Sequence, residues 1–318
     1  MLGLGFQRSR RSPWEVLYSA LFSCVLVLFS QLALAMVPRV FQSISLLAML
    51  PISGFVFIAT IIAGRWWRRL LGVSLSAPVF VLFNILFLWG VYIFVIRKAI
   101  SSLLDAILNG ECALLLFGLY RIFSCDPGIV SYDSSYSIEA SCKDFSMLNS
   151  RCEDPPIFPR VRYCNNCKTS IRGFDHHCPA FGNCIGQKNH RLFMALLTGF
   201  VIAESTYTMC STQFITRFIS TPKIGSEGIV SLNMVISTML FSLLQVLWQV
   251  VFLIWHIYCI CFNIKTEDAN FQINWKRYPE FQLKQQPQPG SSVSDIKFIN
   301  PYDKGVIGNL KEFFRPRY

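Results

Sequence analysis

Long unbroken runs of apolar side chains constrain this chain more than any other feature. Residues 14–37 (WEVLYSALFSCVLVLFSQLALAMV), 43–64 and 77–96 each supply the roughly 20 mostly apolar residues that a helix needs to cross a bilayer. Residues 193–216 are weaker but long enough, and 229–262 can cross with tilt or extend beyond the membrane. The run 102–124 is interrupted by Asp105, Asn109, Glu111 and Arg121, which leaves its hydropathy ambiguous. Only 15% of the residues are charged, against about 25% in soluble domains. The first run is about twice as long as a signal-peptide core and has no obvious small-residue cleavage site, so it is expected to be retained as a helix.

Charge orients these runs and supports the ambiguous one better than its own hydropathy does. Arg8, Arg10 and Arg11 precede the first span, and Arg65, Arg68 and Arg69 follow the second; basic clusters beside spans stay cytoplasmic. If 102–124 also crosses, the hydrophilic stretch 125–191 and the tail 265–318 fall on that same side. Of the 29 Lys and Arg residues, only Arg39, Arg97, Lys98, Arg217 and Lys223 then face away from the cytosol. Without that span, the basic regions would be divided across the membrane. The net charge of +11 suits contact with an anionic cytoplasmic leaflet. No nucleic-acid motif accompanies it, so no nucleic-acid partner is expected.

The expected organisation is an N-terminal membrane region over 1–124 with four spans, a cytosolic cysteine-rich domain over 125–192, a C-terminal membrane region of two spans over 193–262, and a cytosolic tail over 263–318. The stretch 125–191 begins SCDPGIVSYDSSYS, rich in turn-forming residues, and reads as irregular. In the tail, KQQPQPGSSVSD reads as flexible linker, followed by the more patterned INPYDKGVIGNLKEFF. Trp66 and Trp67 beside arginines read as an interfacial belt.

Four of the twelve cysteines and three of the four histidines fall in the second half of 125–191. On the cytoplasmic side, where thiols stay reduced, such a cluster points to metal binding or catalysis rather than cross-links. Cys164 and Cys167 form a C-x2-C knuckle that needs two further ligands to close a tetrahedral zinc site. His176, His177, Cys178 and Cys184 are the candidates. A closed site takes two of them, so zinc alone does not explain the stretch FDHHCPAFGNCIG. Elsewhere, Cys24, Cys112 and Cys210 read as small buried side chains. His256, in WQVVFLIWHIYCICF, reads as an interfacial residue among aromatics, and neighbouring Cys259 and Cys261 as buried, with acylation the alternative.

The run Asp175-His176-His177-Cys178 between membrane spans resembles the DHHC-type zinc-finger protein S-acyltransferases, or palmitoyltransferases. The likeness extends to Pro179, Asn183, Cys184, Ile185, Gly186, Asn189 and Phe193. It includes Asp126-Pro127-Gly128 before the cluster and Asn300, Pro301, Tyr302, Asp303, Gly305 and Asn309 in the tail. A Thr-Thr-x-Glu motif survives in degraded form as Lys265-Thr266-Glu267-Asp268. The similarity covers roughly residues 77–318. It implies an α-helical polytopic membrane protein of about six transmembrane helices, with a cytosolic zinc-binding domain between spans four and five. It assigns Cys164, Cys167, His177 and Cys184 to a structural zinc, and Asp175, His176 and Cys178 to catalysis. Cys178 would take a fatty acyl group from acyl-CoA and pass it to protein substrates with membrane-proximal cysteines. A neighbouring histidine activates a thiol, and a carboxylate fixes that histidine's tautomer. The tail motif would dock by Asn300 and Asn309, with Tyr302 giving contact area. The likeness places the protein in the lipid bilayer of the endomembrane system (Golgi, ER or plasma membrane), with both termini cytosolic.

Two departures matter. A second zinc site of the family would fall at positions 150, 153, 163 and 170, where this chain has Ser150, Glu153, Tyr163 and Ser170. Their joint replacement predicts one zinc, not two; Cys142 and Cys152 are too few to rebuild the other. Ala180 stands where the family has Trp, which leaves the acyl-CoA site wider or looser unless Phe181 compensates. The alternative reading is a catalytically weak, zinc-stabilised membrane scaffold of the same fold. A transporter would need charged or broken helices along a pathway, and only 102–124 offers such a feature.

Overall fold

The computed structural model describes residues 12–72, 76–130, 160–220, 226–266, 300 and 302–315. Ser150, Glu153, Cys142, Cys152, Glu267, Asp268, Pro301 and the Pro/Gln stretch lie outside them. Among the described residues, six helices are long and apolar enough to cross a membrane. They are α1 (Pro13–Val40), α2 (Leu46–Leu71), α3 (Ala77–Val91, continuing through a π turn and a 3-10 turn to Ala99), α4 (Ser102–Ser124), α5 (His190–Ile219) and α6 (Ser226–Cys261). A short helix, α7 (Gly305–Phe314), lies in the tail. The helix ends follow local chemistry. Ser12 and Glu15 make a reciprocal capping box around Pro13, and α2 stops at Gly72 with φ 63°, a left-handed conformation that glycine adopts without a Cβ clash.

The chain forms two units. The first comprises residues 1–123, 179–182 and 195–253; the second comprises 124–178, 183–194 and 254–318. In the first, α1 joins α3 through Gln31 Nε2 to Asn84 Oδ1 at 3.3 Å and Ser23 Oγ to the Ser76 carbonyl at 3.2 Å. Asp105, Asn109 and Glu111, three of the polar residues that interrupt α4, have protein partners. Asp105 accepts from Tyr92 Oη at 2.9 Å and from Arg97 at 3.0 and 3.1 Å, and Asn109 accepts from Trp89 Nε1 at 2.9 Å. Glu111 accepts from Thr206 Oγ1 at 3.2 Å. Polar groups in a spanning helix are tolerated when they pair inside the bundle, which explains how a helix of weak hydropathy forms a candidate span.

The second unit contains four short strands where composition suggested irregular chain: β1 (Val161–Cys164) with β2 (Thr169–Arg172), and β3 (His176–Cys178) with β4 (Asn183–Ile185), both pairs antiparallel. Asp126 organises the Asp-Pro-Gly turn, its Oδ1 accepting from Gly128 N and Ile129 N at 2.8 Å each and its Oδ2 meeting Lys188 Nζ at 2.6 Å. Burial would raise the Asp126 carboxyl, but the Lys188 bond and the two backbone donors hold it below its usual value. Gly186 lies against this turn: an added Cβ would meet the Pro127 carbonyl oxygen, Ile171 Cγ2 at 2.7 Å and Arg172 O at 3.2 Å. Two of these neighbours are backbone and cannot rotate away. Gly186→Ala is therefore expected to destabilise this unit by about 1–3 kcal/mol, read as a lower melting temperature in detergent. An unchanged temperature would contradict the close approach.

Candidate active site and metal centre

The register of β3 and β4 divides the candidate residues. Side chains along a strand alternate between faces, so His176 and Cys178 share one face of β3 and His177 takes the other. His177 stands directly opposite Cys184 on β4, while Cys178 pairs with Asn183 and His176 with Ile185. The candidate zinc ligands and the candidate reactive groups are thus interleaved in sequence but separated by the pleat.

On the His177 face, Cys164, Cys167, His177 and Cys184 converge. His177 Nδ1 lies 3.8 Å from Cys164 Sγ, 3.4 Å from Cys167 Sγ and 3.4 Å from Cys184 Sγ, and the Cys167 and Cys184 sulfurs are 3.4 Å apart. A tetrahedral zinc with bonds of about 2.3 Å to sulfur and about 2.0 Å to nitrogen separates its donors by about 3.5–3.8 Å. The residues fit the ion. Burial, then the adjacent Cys167 and Cys164 sulfurs, push the Cys184 thiol far up, so three clustered thiolates require a cation. The C-x2-C turn is built for this: Lys168 takes a positive φ of 55° and its N–H bonds the Cys164 carbonyl at 2.8 Å. Tyr163 and Ser170, at two positions of the missing second site, face each other across β1 and β2.

On the other face, His176 Nδ1 meets Asp175 Oδ2 at 2.8 Å. Asp175 is fully buried. Burial alone would raise its carboxyl, but the His176 hydrogen bond and nearby positive charge hold it far below the usual carboxylate range. Burial would likewise pull His176 down, yet hydrogen bonds with Asp175 and Cys178 raise it to about 9. The environment therefore stabilises an imidazolium beside the Cys178 sulfur.

Thr266 completes this group, and its contacts were not anticipated from sequence. Its Oγ1 donates to Asp175 Oδ2 at 2.6 Å and its N–H donates to Oδ1 at 3.2 Å. The signal was present in the degraded Lys265-Thr266-Glu267-Asp268, where one threonine of the motif is retained. His256 was read as one residue among aromatics, and it does contact Phe193 (centroids 4.9 Å apart), but it also lies 5.6 Å from the His176 ring. Asp175, His190 and His256 present ligand atoms within 4.8 Å of one another. The Asp175 oxygens, however, are already committed to His176 and Thr266, so this group carries no metal assignment.

The tail motif acts by hydrogen bonding. Asn300 Nδ2 donates to the Phe262 carbonyl at 2.8 Å, and Asn309 Nδ2 donates to the Cys261 carbonyl at 2.8 Å and to Asp303 Oδ1 at 2.6 Å. Arg160 stacks 3.7 Å above the Tyr302 ring and donates to the Asn263 carbonyl at 2.8 Å. Nearby, a cavity of about 430 Å³ is lined by Arg160, Arg172, Arg191 and Lys265, along with Cys259 and His190. Cys259 is almost fully buried.

Alongside six apolar helices and a zinc-type Cys/His cluster set beside an Asp-His-Cys run, comparison with known proteins gives a match: residues 149–273 are similar to the DHHC palmitoyltransferase profile. The chain is 28% identical over 219 residues to palmitoyltransferase ZDHHC17 of Mus musculus, an alignment covering 64% of this chain and 32% of that protein. It is 29% identical over 163 residues to probable protein S-acyltransferase 6 of Arabidopsis thaliana, covering 49% of this chain and 33% of that protein. The chain thus spans about a third of the length of the curated relatives it matches.

Proposed function

We propose that this chain is a protein S-acyltransferase that works through an acyl-enzyme on Cys178. The observation that carries the reading is the common strand face of His176 and Cys178, with Asp175 on the far nitrogen of the imidazole. In the first step His176 Nε2 takes the Cys178 proton, and Sγ attacks the thioester carbonyl of a fatty acyl-CoA. The bond to the CoA sulfur breaks, and the departing thiolate takes the proton from His176. In the second step a substrate cysteine gives its proton to His176 and attacks the acyl-Cys178 carbonyl, and Cys178 leaves and is reprotonated. Each step exchanges one thioester for another, so no external energy source is needed. Zinc held by Cys164, Cys167, His177 and Cys184 is structural, because a closed four-ligand site leaves no position for substrate. One such ion per chain is our reading; two tightly bound ions by elemental analysis would overturn it.

The cavity lined by Arg160, Arg172, Arg191 and Lys265 suits the phosphates of the CoA head group, since guanidinium forks match phosphate oxygens. The reactive group faces the cytosol in an endomembrane, and protein substrates present cysteines close to the bilayer.

The test is to supply a clickable palmitoyl-CoA analogue to the purified full chain and map the hydroxylamine-sensitive adduct by mass spectrometry. The acyl group is expected on the Cys178 peptide. Adducts confined to other cysteines, such as Cys259 or Cys261, would remove the acyl-enzyme and favour the scaffold reading.

A further inference from the structure

Helix α7 has one face that the described residues of its own unit leave exposed. Val306 is 44% exposed, Ile307 71% and Phe314 66%. At about 100° per residue these three and the half-buried Leu310 fall within a single arc of about a quarter-turn. The flank of that arc next to Val306 is occupied: Asn309 is buried and Phe313 meets the His190 ring edge-on at 5.2 Å. The outer arc is therefore a continuous apolar stripe on a ten-residue helix, not a scatter of single exposed side chains.

The position of the helix tells what covers that stripe. Asn309 Nδ2 bonds the carbonyl of Cys261, the last residue of α6. Phe313 packs on His190, the first residue of α5, and Arg191 Nη1 reaches the Phe314 carbonyl at 3.4 Å. Helix α7 is thus tied to the ends of two candidate spans, Cys261 closing the apolar run of α6 and His190 three residues outside that of α5, which suits a place near the membrane interface. Its charges suit that depth. Lys311 stands beside the apolar arc, and exposed Lys304 and Arg315 flank the helix. The one acid of the helix, Glu312, is bridged to Lys304 at 3.2 Å. An apolar face bordered by cations is the pattern of a helix lying in the interface of an anionic membrane.

We propose that α7 is an interfacial lipid-binding helix, with Val306, Ile307, Leu310 and Phe314 immersed among the head groups and upper acyl chains of an anionic leaflet and Lys311 reaching lipid phosphates. This site is separate from the thioester chemistry and does not depend on it. It pins the tail, and through Asn309 the end of α6, to the membrane surface.

Photocrosslinking of the full chain in nanodiscs tests this. A benzophenone amino acid is placed at Ile307, Phe314 or Lys304, one position at a time, in discs of phosphatidylcholine with and without phosphatidylserine. Intact-mass and peptide analysis then identify the adduct. Phospholipid adducts are expected several-fold more often at 307 and 314 than at 304, with the yield at 307 rising when phosphatidylserine is present. Adducts to a second copy of the chain, or to another segment of the same chain, would reassign the face to protein and overturn the proposal. Lipid adducts no more frequent at 307 and 314 than at 304 would overturn it as well. A thermal melt of each labelled protein, with zinc content, separates either result from misfolding.

Discussion

Replacing Asp175 with asparagine is expected to slow acyl-enzyme formation by about 10²–10⁴-fold, in the range seen when a buried carboxylate behind a catalytic histidine becomes an amide, while leaving the bound zinc in place. Thr266 decides which way the new amide points. Its backbone N–H donates to Oδ1, and an N–H donor selects the amide oxygen for that position. The asparagine NH2 then occupies the place of Oδ2 and donates to His176 Nδ1, where the native carboxylate accepts from it. The imidazole is driven to the tautomer protonated on Nε2 and cannot take the Cys178 proton. It also loses the negative charge that helps hold it as an imidazolium. Single-turnover labelling with an acyl-CoA analogue gives the rate, and elemental analysis gives the zinc. A rate within a few-fold of wild type, with zinc retained, would remove Asp175 from the mechanism.

That result is informative because two candidate roles share one three-residue strand. His177 is flanked by His176 and Cys178 and faces away from both. Holding His177 on a metal would fix the rotation of β3 about its own axis, and so would aim His176 and Cys178. Asn183 reinforces the partner strand: its Nδ2 donates to the Cys125 carbonyl at 2.9 Å, and its Oδ1 accepts from Cys184 N at 2.8 Å. Asn189 accepts from Gly186 N and donates to the Cys184 carbonyl, both at 2.8 Å. The asparagines of the motif thus support the hairpin that carries His176, His177, Cys178 and Cys184.

Most of the six candidate spans were legible because 20 apolar residues in a row have few other solutions. Their ends were less so: α5 begins at His190 and α6 at Ser226, each three residues before the apolar run, because polar residues continue a helix that the bilayer no longer requires. The status of 102–124 could be argued only from charge, since the partners of Asp105 and Glu111 come from other helices. Strands β1 to β4 were illegible for a different reason. With three or four residues each, they are too short to show a period of two. Ligand spacing therefore narrowed the zinc candidates without dividing them; the division came from resemblance to a family, and the strand register gives it a physical basis. Thr266 lies 90 residues from His176, and its pairing with Asp175 depends on α6 returning to the cysteine-rich region, which no local pattern encodes.

Cys184→Ser should have the broadest effect, because it removes a zinc ligand and the residue paired with His177 at once. Apparent zinc binding to structural sites of this type is worth about 10–16 kcal/mol, well above the few kcal/mol that two short hairpins can supply by themselves. Serine is a poor zinc ligand at neutral pH, and Cys164, Cys167 and His177 alone leave a three-ligand site open to water. Zinc is therefore expected to fall from about one equivalent to a small fraction in the purified protein. Acyl-enzyme formation should be lost with it, although Asp175, His176 and Cys178 are all intact, since β3 no longer has a fixed rotation. The six long helices do not depend on the metal, so far-UV circular dichroism should change little. This combination separates the variant from Asp175→Asn, which keeps zinc and loses rate. If Cys184→Ser held a full equivalent of zinc, the ligand set would be wrong; if it lost zinc yet acylated at the wild-type rate, the metal would not be what aims the reactive strand.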